Sequence, residues 1–400
     1  MPSSLDEVLT HELRRLDAAG LRRELKPWRG PQGPWIELAG QRLSSFSSNN
    51  YLGLAGHPAL GRAAATMLDE AGVGAAASRL IAGNHTVHQA LEEDLARFHR
   101  APAALLFNSG FQANVGVIPA LVGQGDLILS DQLNHASLID GCRLSRAHVQ
   151  VYDHADPDRV QALLANHRRA HRHCLIATES VFSMDGDRAP LCELAHLARE
   201  HRAWLLVDEA HAVGTLGPDG RGLCAELDLQ PDILIGTLGK AFGSFGAYVA
   251  GSSPLRSFLL HRARSFVFTT ALPPAVAAAS RAALAIAAGP DGHLLRRDLL
   301  AHIDRFRTGL LALDLLAPGA GSTPIFPIWV GDDNQSLTIS RQLLDAGIHA
   351  QAIRPPTVPR GTARLRFALI ATHKPHQLDH ALDQLAHLRH TGYLGPAKTS

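Results

Sequence analysis

Four hundred residues exceed what one average hydrophobic core holds, so two domains or one large α/β domain is the starting expectation. Hydrophobic residues make up 46% and charged residues 19%, enough for a buried core and outside the disordered class. The balance of 38 basic against 37 acidic side chains marks the chain for neither nucleic acid nor an anionic membrane.

Leu5, Val8, Leu9, Leu13 and Leu16 recur at helical spacing and predict an amphipathic opening helix; Gly30, Pro31, Gly33 and Pro34 then break the helical pattern. Further helices are predicted over Pro58–Ala71 and Val87–His99. From Ala103 the pattern becomes short apolar runs: Ala104–Phe107, Leu127–Leu129, Cys174–Thr178, Trp204–Val207, Ile233–Ile235, Ala247–Ala250 and Phe266–Phe268. Most lack inside/outside alternation, as strands buried on both faces should. Helical stretches such as Asp158–Arg169 and Leu191–Glu200 lie between several of them, which argues a mainly parallel sheet covered by helices. After a helix over Pro274–Ala288, Gly289–Gly292 reads as a breaker. Helices over Leu294–Leu313, Ser336–Ala346 and Pro375–Leu388 then alternate with strands Ile325–Val330 and Arg364–Phe367, and the last six residues read as frayed. The expected organisation is an N-terminal helical arm (1–45), a large α/β domain (46–288) and a small C-terminal α+β domain (289–400).

Cys142, Cys174, Cys192 and Cys224 include no CxxC pair, so neither a disulfide framework nor a zinc ribbon is expected, and a reducing compartment suits them. The N-terminus carries acids and no apolar run, unlike a signal peptide. No uncharged apolar run approaches the roughly 20 residues that span a bilayer. A cytoplasmic enzyme without membrane or nucleic-acid partner is the expectation.

Val207-Asp208-Glu209-Ala210-His211 closes a buried apolar run, at the strand end where open α/β sheets bind ligands. An acid buried there needs a cation, and the protonated ring nitrogen of pyridoxal phosphate is one. Thr237-Leu238-Gly239-Lys240 closes the next run, where a desolvated Lys becomes a usable nucleophile. Each alone has a bland reading, a capping Asp and a solvated Lys; together they have the spacing of pyridoxal-phosphate enzymes of the aspartate-aminotransferase type (fold type I). Asn108-Ser109-Gly110-Phe111 joins a strand to a helix whose free N–H groups favour a phosphate, although such turns are common, and His135 in Asn134-His-Ala-Ser137 has two readings, a ring on the face of a planar cofactor or a satisfied core histidine.

With Phe46-Ser-Ser-Asn-Asn-Tyr-Leu-Gly-Leu54, Val87-His-Gln-Ala-Leu-Glu92, Thr178-Glu-Ser-Val-Phe-Ser-Met-Asp-Gly-Asp187, Gly217-Pro-Asp-Gly-Arg-Gly222 and Ile353-Arg-Pro-Pro-Thr-Val-Pro359, these segments resemble the α-oxoamine synthases over nearly the whole chain. The Arg-Pro-Pro-Thr-Val-Pro turn leans toward the biotin-biosynthetic branch. The resemblance implies a homodimer that uses pyridoxal phosphate to condense L-alanine with pimeloyl-CoA, or a pimeloyl carrier protein, giving 8-amino-7-oxononanoate, thiol and CO2. It implies Lys240 as the residue that binds the cofactor and moves the Cα proton, Asp208 on the ring nitrogen, His211 on the phenolic oxygen and His135 on the ring face. Ser183 and Glu179 would line the cofactor, Gly110, Phe111 and Thr237 its phosphate, and Thr269 or Thr270 the partner's phosphate. Arg22, Asn49, Arg354 and Thr357, with His135, would surround the substrate.

Four other readings are weaker. The resemblance leaves sibling enzymes using glycine and a short acyl-CoA as the nearest alternative, whereas non-catalytic relatives lack the Lys present at 240. A metal at His167, His171, His173 and Cys174 is opposed by the interleaved Arg168, Arg169 and Arg172. A nicotinamide site fails because Gly72-Val-Gly74 lacks its third Gly.

Overall fold

The computed structural model describes residues 4–18, 20–317 and 320–397; of the tail expected to fray, 398–400 lie outside them. The chain forms two compact units. One comprises Asn49–Ala301 with Ile370–Thr372, the other residues 4–18, 20–48, 302–317, 320–369 and 373–397.

The first unit is built on a seven-stranded sheet: β1 (Ala103–Phe107), β2 (Leu127–Asp131), β3 (His148–Tyr152), β4 (Cys174–Glu179), β5 (Trp204–Asp208), β6 (Ile233–Thr237) and β7 (Ala247–Gly251). Their order is β1-β7-β6-β5-β4-β2-β3, and β7 alone runs antiparallel to its two neighbours. The apolar runs became strands because helices cover both faces: Leu105, Ile128, Leu175, Leu206, Ile235 and Val249 share one core with Val117 and Leu138 of two helices. Helix starts coincide with capping residues, Ser109 for Gly110–Leu121 and Asp156 for Pro157–His167.

Two expectations for this unit need correction. The run Phe266–Phe268 is no strand; residues Arg264–Val267 form one helical turn, with Phe266 buried against Phe107 and Phe268 72% exposed. Three apolar residues carry no period, and only Phe266 had a core to enter. Conversely, the edge strand β3 was not expected, because its HVQVY sequence is exposed or half-buried up to its last residue and reads as neither a buried run nor a helix.

The second unit gathers both ends of the chain. Trp35–Leu38 and Gln41–Ser45 form a hairpin to which Ile348–His349 adds in parallel. Ala363–Ala368 lies between Ile325–Gly331 and Gln351–Ile353 in an antiparallel sheet. Phe46, Phe306, Phe326 and Phe367 meet in its core, and His373 stacks on Phe46 at 4.6 Å. The N-terminal segment is thus part of this unit and not a separate arm, and the small unit is not purely C-terminal. Nor does the chain change units at Gly289: that residue ends helix Pro274–Ala288, Pro290 starts the next helix at once, and the boundary falls inside Pro290–Ala312. Proline fits a first helical turn, so the apparent breaker only separates two helices.

Three histidines in these cores are held neutral. Burial pushes the pKa of His88 and of His373 down to about 4 and that of His99 down to about 3. Once unfolded, each takes up a proton below its ordinary pKa of about 6.5, so stability falls with pH from there toward 4, by up to about 1.4 kcal/mol per pH unit for each histidine. His88→Gln should therefore lose less of its urea midpoint than wild type does between pH 6.5 and 4.5, and a difference that does not change across that range would show that His88 is not held neutral.

Candidate active site

The parallel strands deliver the chemistry at one edge of the sheet. β4 ends in Glu179, β5 in Asp208 and β6 in Thr237, and the β4–β5 register sets Glu179 directly beside Asp208. The turn after β2 ends in His135, and the turn after β6 carries Lys240.

Asp208 is 6% exposed. Its Oδ2 accepts from Asn114 Nδ2 at 2.8 Å and its Oδ1 from the Ala210 N–H at 2.9 Å. Asn114, on helix Gly110–Leu121, donates also to Ser137 Oγ at 2.9 Å. Asp208 forms no ion pair among the described residues, so a buried carboxylate is held by neutral donors alone, and a ligand cation fits there.

Glu179 accepts the His135 N–H at 2.6 Å. Burial first, then the neighbouring Asp208, push its pKa up to about 8; the charge of Lys240 opposes the rise. Crowding by protein atoms lowers the pKa of His135, Asp208 raises it and Lys240 lowers it. Glu179, Asp208, His135 and Lys240 thus share one electrostatic field. The His135 side chain remains exposed, and Asn134 pins its turn to Ser130 Oγ and the Ala177 carbonyl. His211 is buried, with Nδ1 2.6 Å from the Tyr51 hydroxyl, which lies 3.2 Å from Asn49 Oδ1.

The Lys240 turn is tight: Gly243 N–H donates to the Lys240 carbonyl, and a Cβ at Gly243 (φ +62°) would stand 2.2 Å from the Ala55 nitrogen. Thr237 Oγ1 donates to the Gly246 carbonyl and accepts the Gly239 N–H. At the start of helix Gly110–Leu121, a Cβ on Gly110 would meet nothing within 4 Å, which leaves room for an anion at free N–H groups. Asn108 Nδ2 reaches the Thr270 carbonyl at 2.8 Å and Thr269 Oγ1 at 3.4 Å, so both threonines lie beside that helix start in their own chain. Ser183 is 9% exposed in the turn after β4, and Phe111 is 48% exposed.

Arg22, Arg354 and Thr357 belong to the other unit. Arg22 pairs with Asp17 at 2.8 Å, Arg354 donates to the Gly20 carbonyl, and the Thr357 N–H donates to the Arg354 carbonyl at 3.1 Å. The structure therefore brings Arg354 to the segment that carries Arg22. Sequence reasoning missed Asn114 and gave Tyr51 no role. A lone Asn on the buried face of an otherwise apolar helix was the one available signal for the first.

The model of the family "Aminotransferase class I and II" matches residues 42–385. The chain belongs to that family. Its relatives include the 8-amino-7-oxononanoate synthase of Geobacter sulfurreducens, 49% identical over 379 residues (94% of this chain, 96% of that one). That of Marinobacter nauticus is 48% identical over 384 residues (94% and 95%). Among solved structures, serine palmitoyltransferase of S. paucimobilis with a bound pyridoxal-phosphate–myriocin aldimine superposes with a TM-score of 0.92 at 28% identity, covering 98% of this chain and 100% of that one. The 8-amino-7-oxononanoate synthase of Francisella tularensis gives 0.75 at 30%, covering 88% and 99%. The fold is that of the type I aminotransferases.

The raised Glu179 pKa has a measurable sign. The folded protein keeps the carboxyl proton up to about 8, whereas the unfolded chain loses it near 4.5, so this residue costs stability as pH rises between those values. In cofactor-free protein, Glu179→Gln should gain in urea midpoint relative to wild type from pH 5 to pH 8. A difference independent of pH would mean that Glu179 is already ionised.

Proposed function

We propose that this chain is a pyridoxal-phosphate-dependent acyltransferase. It condenses L-alanine with a pimeloyl thioester, of CoA or of a carrier protein, to form 8-amino-7-oxononanoate, thiol and CO2 in biotin biosynthesis. The observation that carries this reading is identity of 48–49% to curated 8-amino-7-oxononanoate synthases across nearly the whole chain. The product's own carbon count argues for alanine over glycine. A seven-carbon acyl group plus the two carbons that alanine keeps after decarboxylation make nine, whereas glycine would leave eight.

The residues present fit the cofactor. The neutral donors around Asp208 leave a place for a ring cation, the exposed His135 offers a flat face, and the open helix start at Gly110 suits a phosphate. Pyridoxal phosphate supplies an electron-accepting ring that stabilises negative charge at the amino-acid Cα. Asp208 holds a proton at the ring nitrogen, with Asn114 and the Ala210 N–H fixing both its oxygens. His211 bonds the phenolic oxygen, steadied by Tyr51, and His135 covers the ring. Glu179 and Ser183 line the cofactor side, and Gly110, Phe111 and Thr237 hold its phosphate. Lys240 anchors the cofactor through Nζ and then takes and returns the proton at the alanine Cα. Arg354, with Thr357 and Asn49, grips the amino-acid carboxylate, and Arg22 meets the far carboxylate of the acyl chain. One C–C bond forms between Cα and the thioester carbonyl carbon; the thiol leaves, then the alanine carboxylate leaves as CO2.

Two copies form the working enzyme. Leu80, Ile81, Phe111 and Phe268 are 53, 82, 48 and 72% exposed. Their turns are tied together by Ala271 N–H to the Ala77 carbonyl and by Asn108 to Thr270. An apolar face of this kind calls for a cover, and a second copy would present Thr269 or Thr270 to the neighbouring phosphate. The helix Leu5–Ala18, with Leu5, Val8, Leu9, Leu13 and Leu16 all exposed, packs across the same boundary. The absence of any disulfide among the four cysteines supports a cytoplasmic location. No helix among the described residues is long and apolar enough to cross a membrane.

Lys240→Ala should remain folded and lose turnover by several orders of magnitude; turnover at the wild-type rate would overturn the assignment. In the wild type, alanine with pimeloyl-CoA should outpace glycine with acetyl-CoA, and the reverse would assign a glycine-using sibling. Sedimentation should show a dimer, and Phe268→Asp should shift it toward monomer and weaken cofactor binding. A fully active monomer would refute the composite site.

A further inference from the structure

His154 lies in the turn after β3, outside every sequence motif and apart from the residues that hold cofactor or substrate. Its Nδ1 stands 2.9 Å from Asp131 Oδ1 and its Nε2 2.7 Å from Asp187 Oδ2, and its side chain is 25% exposed. With a carboxylate at each ring nitrogen, both nitrogens must donate, which only the imidazolium does. Asp131, the last residue of β2, and Asp187, in the turn after β4, are the charged groups that face the ring; Phe182 meets it edge-on at 4.3 Å. Burial lowers the pKa of His154, but the hydrogen bonds and charges of the two carboxylates outweigh it and raise the value to about 10.

The two carboxylates are rooted in different parts of the site. Asp131 is 1% exposed, accepts the Leu133 and Ala155 N–H groups as well, and opens the turn that ends in His135. Asp187 closes the turn that carries Ser183: the Phe182 N–H donates to the Asp187 carbonyl at 3.0 Å and the Gly186 N–H to the Phe182 carbonyl at 2.9 Å. We infer that His154 is a positioning residue whose imidazolium, bridging Asp131 to Asp187, fixes the Ser183 turn against the His135 turn and so sets the slot that receives the planar cofactor. This role rests on the proposed binding of pyridoxal phosphate. His154 touches no reacting atom; it acts through the two turns.

The test uses the purified enzyme, His154→Gln and Asp187→Asn, with two readouts: the His154 ring resonances of cofactor-free protein against pH, and the dissociation constant of pyridoxal phosphate against pH. In wild type the His154 ring should stay protonated through pH 8.5, which leaves Glu179 as a group of the cofactor site that titrates before that point. Asp187→Asn removes one of the two carboxylates, so the ring should lose its proton at lower pH and cofactor affinity should weaken at the same pH. His154→Gln should keep the fold, by its melting temperature, and bind the cofactor about ten- to a hundredfold more weakly at every pH, as losing charge-assisted hydrogen bonds predicts. A ring that titrates near its ordinary value in wild type would overturn the clamp, and so would variants with the wild-type affinity and pH profile. A wild type that bound no pyridoxal phosphate would instead overturn the reading of the site itself.

Discussion

Glu179 and Asp208 end adjacent parallel strands, both buried, and two carboxylates held that close in a poor solvent do not both carry charge. The surroundings decide which one does. Asp208 accepts from two donors, Asn114 and the Ala210 N–H, whereas Glu179 accepts from the His135 backbone and is pushed up to about 8. The proton therefore sits on Glu179 at neutral pH, beside an Asp208 whose two oxygens both accept hydrogen bonds. Lys240 completes the balance by drawing the pKa values of both Glu179 and His135 down. The remaining features of the site, from the Asn134 hydrogen bonds to the Tyr51–His211 pair, hold groups in place around those two acids.

How far the fold was legible depended on whether a strand's partners left a local signature. Strands β1, β2, β4, β5, β6 and β7 are sandwiched between helices, so each reads as a short apolar run wherever it pairs. The edge strand β3 satisfies one side only and shows no such run. The hairpin Trp35–Ser45 and its partner Ile348–His349 were invisible for a different reason. Ser44 pairs with Ile348 across most of the chain, and a two-residue strand has no period to detect. The same long-range closure explains why the N-terminal segment was read as an arm of its own: nothing near residue 45 announces a partner near residue 348.

At the site, legibility followed the type of role. Asp208 and Lys240 stand out because a reactive side chain ends an apolar run beside small residues, and the strand delivers it to the sheet edge whatever else the chain does. Asn114, Tyr51 and His154 act through other side chains, and those lie 94, 160 and 33 residues away in sequence for Asp208, His211 and Asp187. No spacing rule links such pairs, since the tertiary structure alone brings them together. The threonines at 269 and 270 fall between these cases. The resemblance implies a partner's phosphate for one of them, and within one chain Asn108 already holds both beside the helix start at Gly110.

The Tyr51 hydroxyl has one hydrogen, and whether it goes to Asn49 or to His211 sets what His211 can do. If Tyr51 donates to Asn49 Oδ1, the neutral His211 must carry its proton on Nδ1, and Nε2 is left as an acceptor. If it donates to His211 Nδ1, the proton sits on Nε2 and the ring becomes a donor. A phenolic oxygen carrying negative charge accepts, so only the second arrangement suits the role proposed for His211. The shorter contact is the one to His211, 2.6 Å against 3.2 Å to Asn49. Tyr51 is fully enclosed, so water does not compete for its hydrogen. The placing of that one hydrogen thereby sets the tautomer of His211, just as Asn114 and the Ala210 N–H set the orientation of Asp208.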